Sequence, residues 1–298
     1  LYLITFVEKN IKKENHKIEM NVLSLFDGIS CAKVALERAH IPIANYYACE
    51  IDKYAMAVSK KNHPVIKSLG NVKDVKDPLA IDILIGGSPC QDLSIAKKER
   101  KGLAGDRSSL FWEYVRIWKL CKPKYFILEN VASMSKDDRD IITQTMGVEP
   151  IMINAGLVSA QCRKRLFWTN IPDVVLPEDR GIVLNDILQD DVDEKFICNK
   201  EIVWRENSKI IGLIKNDKSL SQANRVYGID GKTATLSSGG GGLYKVRETV
   251  RRLTPIECER LQGLPDKYTE GISDTQRYKC LGNAFNVDVV THILSFMK

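Results

Sequence analysis

The chain has 298 residues, 44% of them hydrophobic and 28% charged, the proportions of a soluble globular protein with one large domain, or one domain and a smaller insert. The net charge of +6 permits a polyanionic partner without demanding one. The eight cysteines show no CxxC or Cys/His pairing at metal-ligand spacing, so no metal site is expected, and with no signal peptide the thiols are expected to be reduced in a cytoplasmic protein.

In chain order, the opening LYLITFV is too short to span a membrane and has no basic region before it, so no membrane partner is expected. Residues 1–19, polar and lysine-rich after Val7, are expected to lie outside the fold. From 21 to 171 apolar runs alternate with amphipathic stretches. The runs are NVLSLF (21–26), YYACE (46–50), IDILIGG (81–87), YFILENV (125–131), IMINAGLV (151–158) and RLFWTNI (165–171), and CAKVALERAH (31–40) and SLFWEYVRIWKLC (109–121) are two of the stretches between them. That rhythm predicts an α/β domain with a doubly wound, mostly parallel sheet and helices on both faces.

Several chemically interesting residues fall where strands of such a sheet end. LFDGIS (25–30) is a strand–glycine–helix junction, which lets a ligand approach backbone at a helix N-terminus but reads equally well as a plain tight turn. The absence of GxGxxG disfavours a dinucleotide. Glu50 ends the second strand, before Ile51 and a helix beginning near Asp52; it can accept two ribose hydroxyls or simply complement the helix N-terminus. After IDILIGG comes SPCQDLS, where Pro89 stiffens the loop that presents Cys90. KKERK (97–101) follows, either a phosphate-contacting flap or a solvated charge run. Glu129 and Asn130 end the strand expected beside that of Cys90, and an acid there can share a proton with a substrate. In QCRKR (161–165), alternation along an extended chain points Arg163 and Arg165 the same way, towards a carbonyl or a carboxylate; Lys164 reads as surface.

Near residue 172 the rhythm stops. An acidic segment, PEDRGIVLNDILQDDVDEK, leads into irregular sequence carrying Lys200, Arg205, Lys209, Lys215, Lys218, Arg225 and Lys232, then TATLSSGGGGLY (233–244), a loop or hairpin. Helical signals return at RRLTPIECERLQG: Thr254 caps, Pro255 fits the first helical position, Glu257 completes a capping box and Gly263 stops the helix. AFNVDVVTHILSFM is expected to pack back on the sheet as a closing helix. The expected layout is an extension (1–19), a catalytic and cofactor-binding domain (20–172), an irregular insert (173–250) and a return to the first domain (251–298).

GGSPCQDLS, EIDKYA (50–55), GDRSSLFWE (105–113), ENV (129–131), QCRKR, RRLTPIECERLQGLPD (251–266) and LGNA (281–284) stand in an order that resembles the cytosine-C5 DNA methyltransferase family, over roughly 21–171 and 251–298. VSAQCRKRLFWTNIP and ENVASM also look like the vertebrate de novo DNA methyltransferases, while the small uninterrupted layout is more like a bacterial or phage modification enzyme. The resemblance implies a Rossmann-like fold using S-adenosylmethionine and double-stranded DNA. It makes Cys90 the nucleophile that adds to C6 of a flipped-out cytosine, Glu129 the acid on N3 and the exocyclic amine, and Arg165 the ligand of O2 supported by Arg163. For the donor it implies Phe26, Asp27, Gly28, Ile29, Ser30, Glu50, Ile51, Asn71, Val72, Pro89, Leu110, Asn283 and Ala284. For DNA it implies Ser94, Lys97, Lys98, Arg100, Lys101, Arg225, Thr235 and Leu236, with residues 173–250 as the target recognition region. The chain departs from the family pattern at Asn71, where an aspartate often meets the adenine amino group, at Ala284, often a serine, and at Ser30 and Cys31, usually glycines. A cognate restriction endonuclease acting on the same site is a candidate further partner. Methylation of tRNA by the same fold is a second enzyme reading. A catalytically silent DNA-binding homologue is the third, disfavoured because it has no need of Cys90, Glu129 and Arg165 together.

Overall fold

The computed structural model describes residues 19–88, 110–206, 208–216 and 221–297. Strand β1 (Met20–Leu25) lies between β2 (Ile43–Cys49) and β4 (Ile83–Gly87), with β3 (Lys67–Gly70) beyond β2 and β5 (Tyr125–Val131) beyond β4. Strand β7 (Lys164–Thr169) joins β5 antiparallel, and β6 (Ile151–Asn154) closes the edge, giving seven strands in the order β3-β2-β1-β4-β5-β7-β6. Pairings among β1 to β5 are all parallel, so the expected mostly parallel sheet is present, with β7 as the reversed strand.

Alternation along the strands feeds two apolar layers. Val22, Ile83, Ile85 and Ile127 pack with residues of helices α1 (Cys31–Arg38) and α2 (Lys53–Asn62). Their neighbours Leu23, Leu25, Leu84 and Leu128 pack on the opposite side with α3 (Leu110–Cys121) and α4 (Lys136–Met146). Burial of each such side chain contributes roughly 1.5–3 kcal/mol. The C-terminal segment supplies α5 (Pro255–Leu261), α6 (Asp274–Asn283) and α7 (Val287–Leu294), and its apolar residues join the α1 and α2 layer. Helix α5 starts as expected: Thr254 Oγ1 accepts from Glu257 N at 3.2 Å, and Glu257 Oε2 accepts from Thr254 N at 2.8 Å.

The insert differs from its irregular expectation. Its described residues form five strands in the order β12-β11-β10-β9-β8, namely β8 (Ile202–Trp204), β9 (Ile210–Ile214), β10 (Arg225–Tyr227), β11 (Leu243–Val246) and β12 (Thr249–Arg252). Each is three to five residues long, too short for an alternating pattern to stand out. Strand β12 crosses the expected boundary after residue 250. The insert is also welded to the main layer, because Leu184, Phe196, Leu236 and Tyr244 belong to the same apolar cluster as Val22 and Ile83.

Candidate active site

In an open α/β sheet the crevice lies where strand order reverses, beyond the carboxyl ends of the strands. Here that point falls between β1 and β4, and a cavity of about 450 Å³ opens there. Its walls come from the segments after β1 (Phe26, Asp27, Gly28), β2 (Glu50, Ile51, Asp52), β3 (Asn71, Val72) and β4 (Ser88), from Leu110 at the start of α3, and from Asn283 and Ala284.

The turn after β1 is held in an unusual backbone path. Phe26, Gly28 and Ser30 all have left-handed φ values, 56°, 59° and 63°. Glu50 braces it: Oε2 accepts from Gly28 N at 2.8 Å, while Oε1 accepts from Ile51 N at 2.7 Å and Asp52 N at 2.8 Å. Three backbone donors fix this carboxylate and leave it acceptor capacity for a ligand hydroxyl. Ile51, 70% exposed, stands as an apolar surface in the cavity wall. Asn71 Oδ1 accepts from Lys73 N at 3.0 Å, keeping one lone pair for a further donor.

Asp27 is buried beneath this turn. Ser30 Oγ donates to Oδ2 and Tyr46 Oη to Oδ1, both at 2.6 Å, yet burial dominates and pushes the carboxyl above its ordinary value. Asp52 goes the other way. Burial opposes its charge, but the Lys279 ammonium at 2.6 Å and the N–H groups of Tyr54 and Ala55 outweigh it and hold the carboxyl below the usual range. Burial also raises the cavity thiols: Cys49 and Cys280 are pushed up to about 12, and Cys31 goes up as well. These three are therefore thiols near neutrality, unsuited to act as nucleophiles.

At the β4–β5 side the chemistry changes. Gly87 is in register with Glu129, and Glu129 Oε1 meets Arg165 Nε at 2.7 Å, both side chains mostly buried. A β-carbon on Gly87 would stand 2.8 Å from Glu129 Oε2 and 2.9 Å from Phe285 Cε1, so only glycine admits the carboxylate here. Asn130 Nδ2 donates to Ser88 Oγ at 3.2 Å. Ser88, two residues before Cys90 in the chain, lines the cavity.

The structure thus gathers Phe26, Asp27, Gly28, Glu50, Ile51, Asn71, Val72, Leu110, Glu129, Arg163, Arg165, Asn283 and Ala284 around one cavity. Cys90, Pro89, Ser94, Lys97, Lys98, Arg100 and Lys101 lie outside the described residues. Ile29 and Ser30 do not line the cavity: Ile29 is core, and Ser30 supports Asp27 from below. Leu236, expected at DNA, is 2% exposed and packed in the main apolar cluster, because it anchors its segment there. Thr235 Oγ1 donates to Cys162 O at 2.6 Å. Arg225 begins β10. Arg163, expected to support Arg165, lines the cavity beside it and donates from its guanidinium to the backbone carbonyls of Leu236, Gly282 and Ala284. Sequence reasoning missed Phe285, Lys279, Cys31 and Cys49 in the cavity wall. Phe285 directly follows Asn283 and Ala284, and that adjacency was its only signal.

Comparison with known proteins gives the family of the chain. The family model described as C-5 cytosine-specific DNA methylase matches residues 20–298. The type II methyltransferase M.HhaI of Haemophilus parahaemolyticus is 28% identical over 317 residues, covering 94% of this chain and 95% of that protein. M.NlaX of Neisseria lactamica, also a type II methyltransferase, is 28% identical over 305 residues, covering 93% and 96%. Among solved structures, the Entamoeba histolytica methyltransferase EhMeth superposes with a TM-score of 0.72 at 18% identity, covering 94% of this chain and 98% of that one, a likeness of fold.

Proposed function

The chain belongs to the C-5 cytosine-specific DNA methylase family, and from that premise we propose that it methylates C5 of a cytosine turned out of duplex DNA, using S-adenosylmethionine and a transient bond from Cys90 Sγ to C6. The observation that carries this reading is the Glu129–Arg165 pair, 2.7 Å apart, at the cavity end reached by the strand that leads to Cys90. An acid and a guanidinium side by side match the edge of a cytosine: the guanidinium donates to the carbonyl oxygen, while the carboxyl accepts from the exocyclic amine and shares a proton with the ring nitrogen.

The residues present also fit the donor. A cavity of about 450 Å³ is of ligand size. The braced Glu50 carboxylate suits a ribose hydroxyl, and the exposed Ile51 side chain offers a flat purine an apolar surface. Bound there, the donor supplies an electrophilic methyl group.

The protein's own groups do the rest. Arg165 donates to the cytosine O2, and Glu129 accepts from the exocyclic amine and shares a proton with N3, which neutralises the charge that develops there as sulfur adds. Addition of the Cys90 thiolate to C6 makes C5 enamine-like and nucleophilic. Once C5 carries the methyl group, transfer of the C5 proton to water breaks the C6–S bond, releases Cys90 as thiolate and restores the aromatic ring. C6 is shielded within a duplex, so the base must leave the stack, at a cost of a few kcal/mol. The raised pKa values of Cys31, Cys49 and Cys280 support Cys90 as the reacting sulfur.

DNA carrying 5-fluorocytosine tests this directly. The proposal expects a denaturation-resistant adduct with the wild type, lost in Cys90→Ala, and labelled methyl incorporation into duplex DNA as 5-methylcytosine. Label entering tRNA but not DNA would move the reading to RNA methylation, and no adduct with active enzyme would remove the covalent step.

A further inference from the structure

Residues 233–238 run between two parts of the molecule that serve different ends. On one side they lie along 160–163: Cys162 N donates to Thr233 O at 2.8 Å, Thr233 N to Ala160 O at 2.7 Å, and Leu236 N to Gln161 Oε1 at 2.9 Å. On the other side they press on the last turn of α6, which is capped by Ala284. A β-carbon on Gly282 would collide with the backbone of Ser237 and Ser238, so the two chains touch backbone to backbone. Residues 282–284 of that turn wall the cavity.

Arg163, 4% exposed, bridges the two. Its Nη1 donates to Leu236 O at 3.4 Å, and its Nη2 to Gly282 O at 3.1 Å and Ala284 O at 3.0 Å. Beside it Gln161 Nε2 donates to Gln262 Oε1 at 3.3 Å, and Gln262 Nε2 to Leu281 O at 2.6 Å. A close-packed interior has little slack, and a planar fork holding three carbonyls from two segments transmits displacement between them.

We propose that Arg163 is a positioning residue that couples DNA recognition to donor binding, by tying segment 233–238 to the Gly282–Ala284 turn; this rests on the methyltransferase reading of the cavity. DNA engaging the recognition region sets the position of segment 233–238, and Arg163 passes that position to the turn. Linkage makes the effect reciprocal: a bound donor steadies the recognition segment by the same factor.

Titration calorimetry of the full chain with S-adenosylhomocysteine, a non-reacting probe, alone and with saturating unmethylated plasmid DNA, measures the coupling. Wild-type affinity is expected to rise by about fivefold or more with DNA. In Arg163→Lys, which keeps the charge but loses the fork, that factor is expected to fall to near one. If the variant does not fold, amide hydrogen exchange of the wild type decides: the probe alone should slow exchange across 233–238. An equal DNA effect in both proteins, or unchanged exchange in that segment, overturns the proposal while leaving the donor site intact. A wild type that binds no S-adenosylhomocysteine sinks the donor reading and this proposal together.

Discussion

Ser30 occupies a conformation that costs an L-residue roughly 1–2 kcal/mol, with φ at 63°, and its buried hydroxyl bonds Asp27 and Ser59 at 2.6 Å each. Two such bonds contribute on the order of 1 kcal/mol apiece. Ser30→Ala keeps the strained backbone and loses both, so it should unfold about 2 kcal/mol more easily in urea. Ser30→Gly relieves the strain and should lie closer to the wild type; the reverse order would refute this account of the turn. Asp27 beneath it has its carboxyl pushed up by burial. The folded state therefore holds that proton where the unfolded chain, near pKa ~3.9, has released it. This carboxyl's contribution to stability is complete below that value and declines as pH rises through the folded pKa. Asp27→Asn should remove that decline, which appears as the difference between the two proteins in denaturation midpoints from pH 4 to 8. At the reacting end, Glu129→Gln keeps the size but not the charge that faces Arg165. Methyl transfer should drop by at least about 100-fold, while DNA retention on filters persists.

At the scale of elements, what the sequence made legible follows from signal length. Strands β1, β2, β4 and β5 announce themselves because their apolar runs are buried on both faces, and YFILENV is matched to the residue by Tyr125–Val131. Helix α5 is legible from its cap alone. Strand β3, whose Lys67 and Ser68 are exposed, has no such run, and the insert strands, three to five residues each, are too short for one to stand out. The site splits the same way. Glu50, Glu129 and Arg165 stand at strand ends that pattern can locate. The bonds of Arg163 to Leu236 O and Ala284 O reach residues 73 and 121 positions away, which no local pattern contains. A tie across only six residues joins β12 to α5, where Arg251 meets Glu257 through two bonds of 2.8 and 2.7 Å, with side chains 2% and 0% exposed. Glu257→Gln leaves a buried cation without its counter-ion and should cost about 3–5 kcal/mol. A combined Arg251→Met, Glu257→Gln protein should recover part of that loss in the same denaturation assay.

Across the whole molecule the insert and the sheet domain share one apolar cluster, so they are expected to melt together. Calorimetry should show a single cooperative transition, and residues 173–250 expressed alone should lack a fixed fold; two resolved transitions would contradict the shared core. Among the described residues no helix is long and apolar enough to cross a membrane. The cavity also joins distant parts of the chain: Phe26 and Glu50 stand on one side, and Lys279, Asn283 and Phe285 come from beyond the insert. A nascent polypeptide halted on the ribosome near residue 250 would have its sheet strands but only part of this cavity's wall. The cavity is thus whole only once the last helices have emerged and settled, so a half-made copy has no closed place to hold a small molecule.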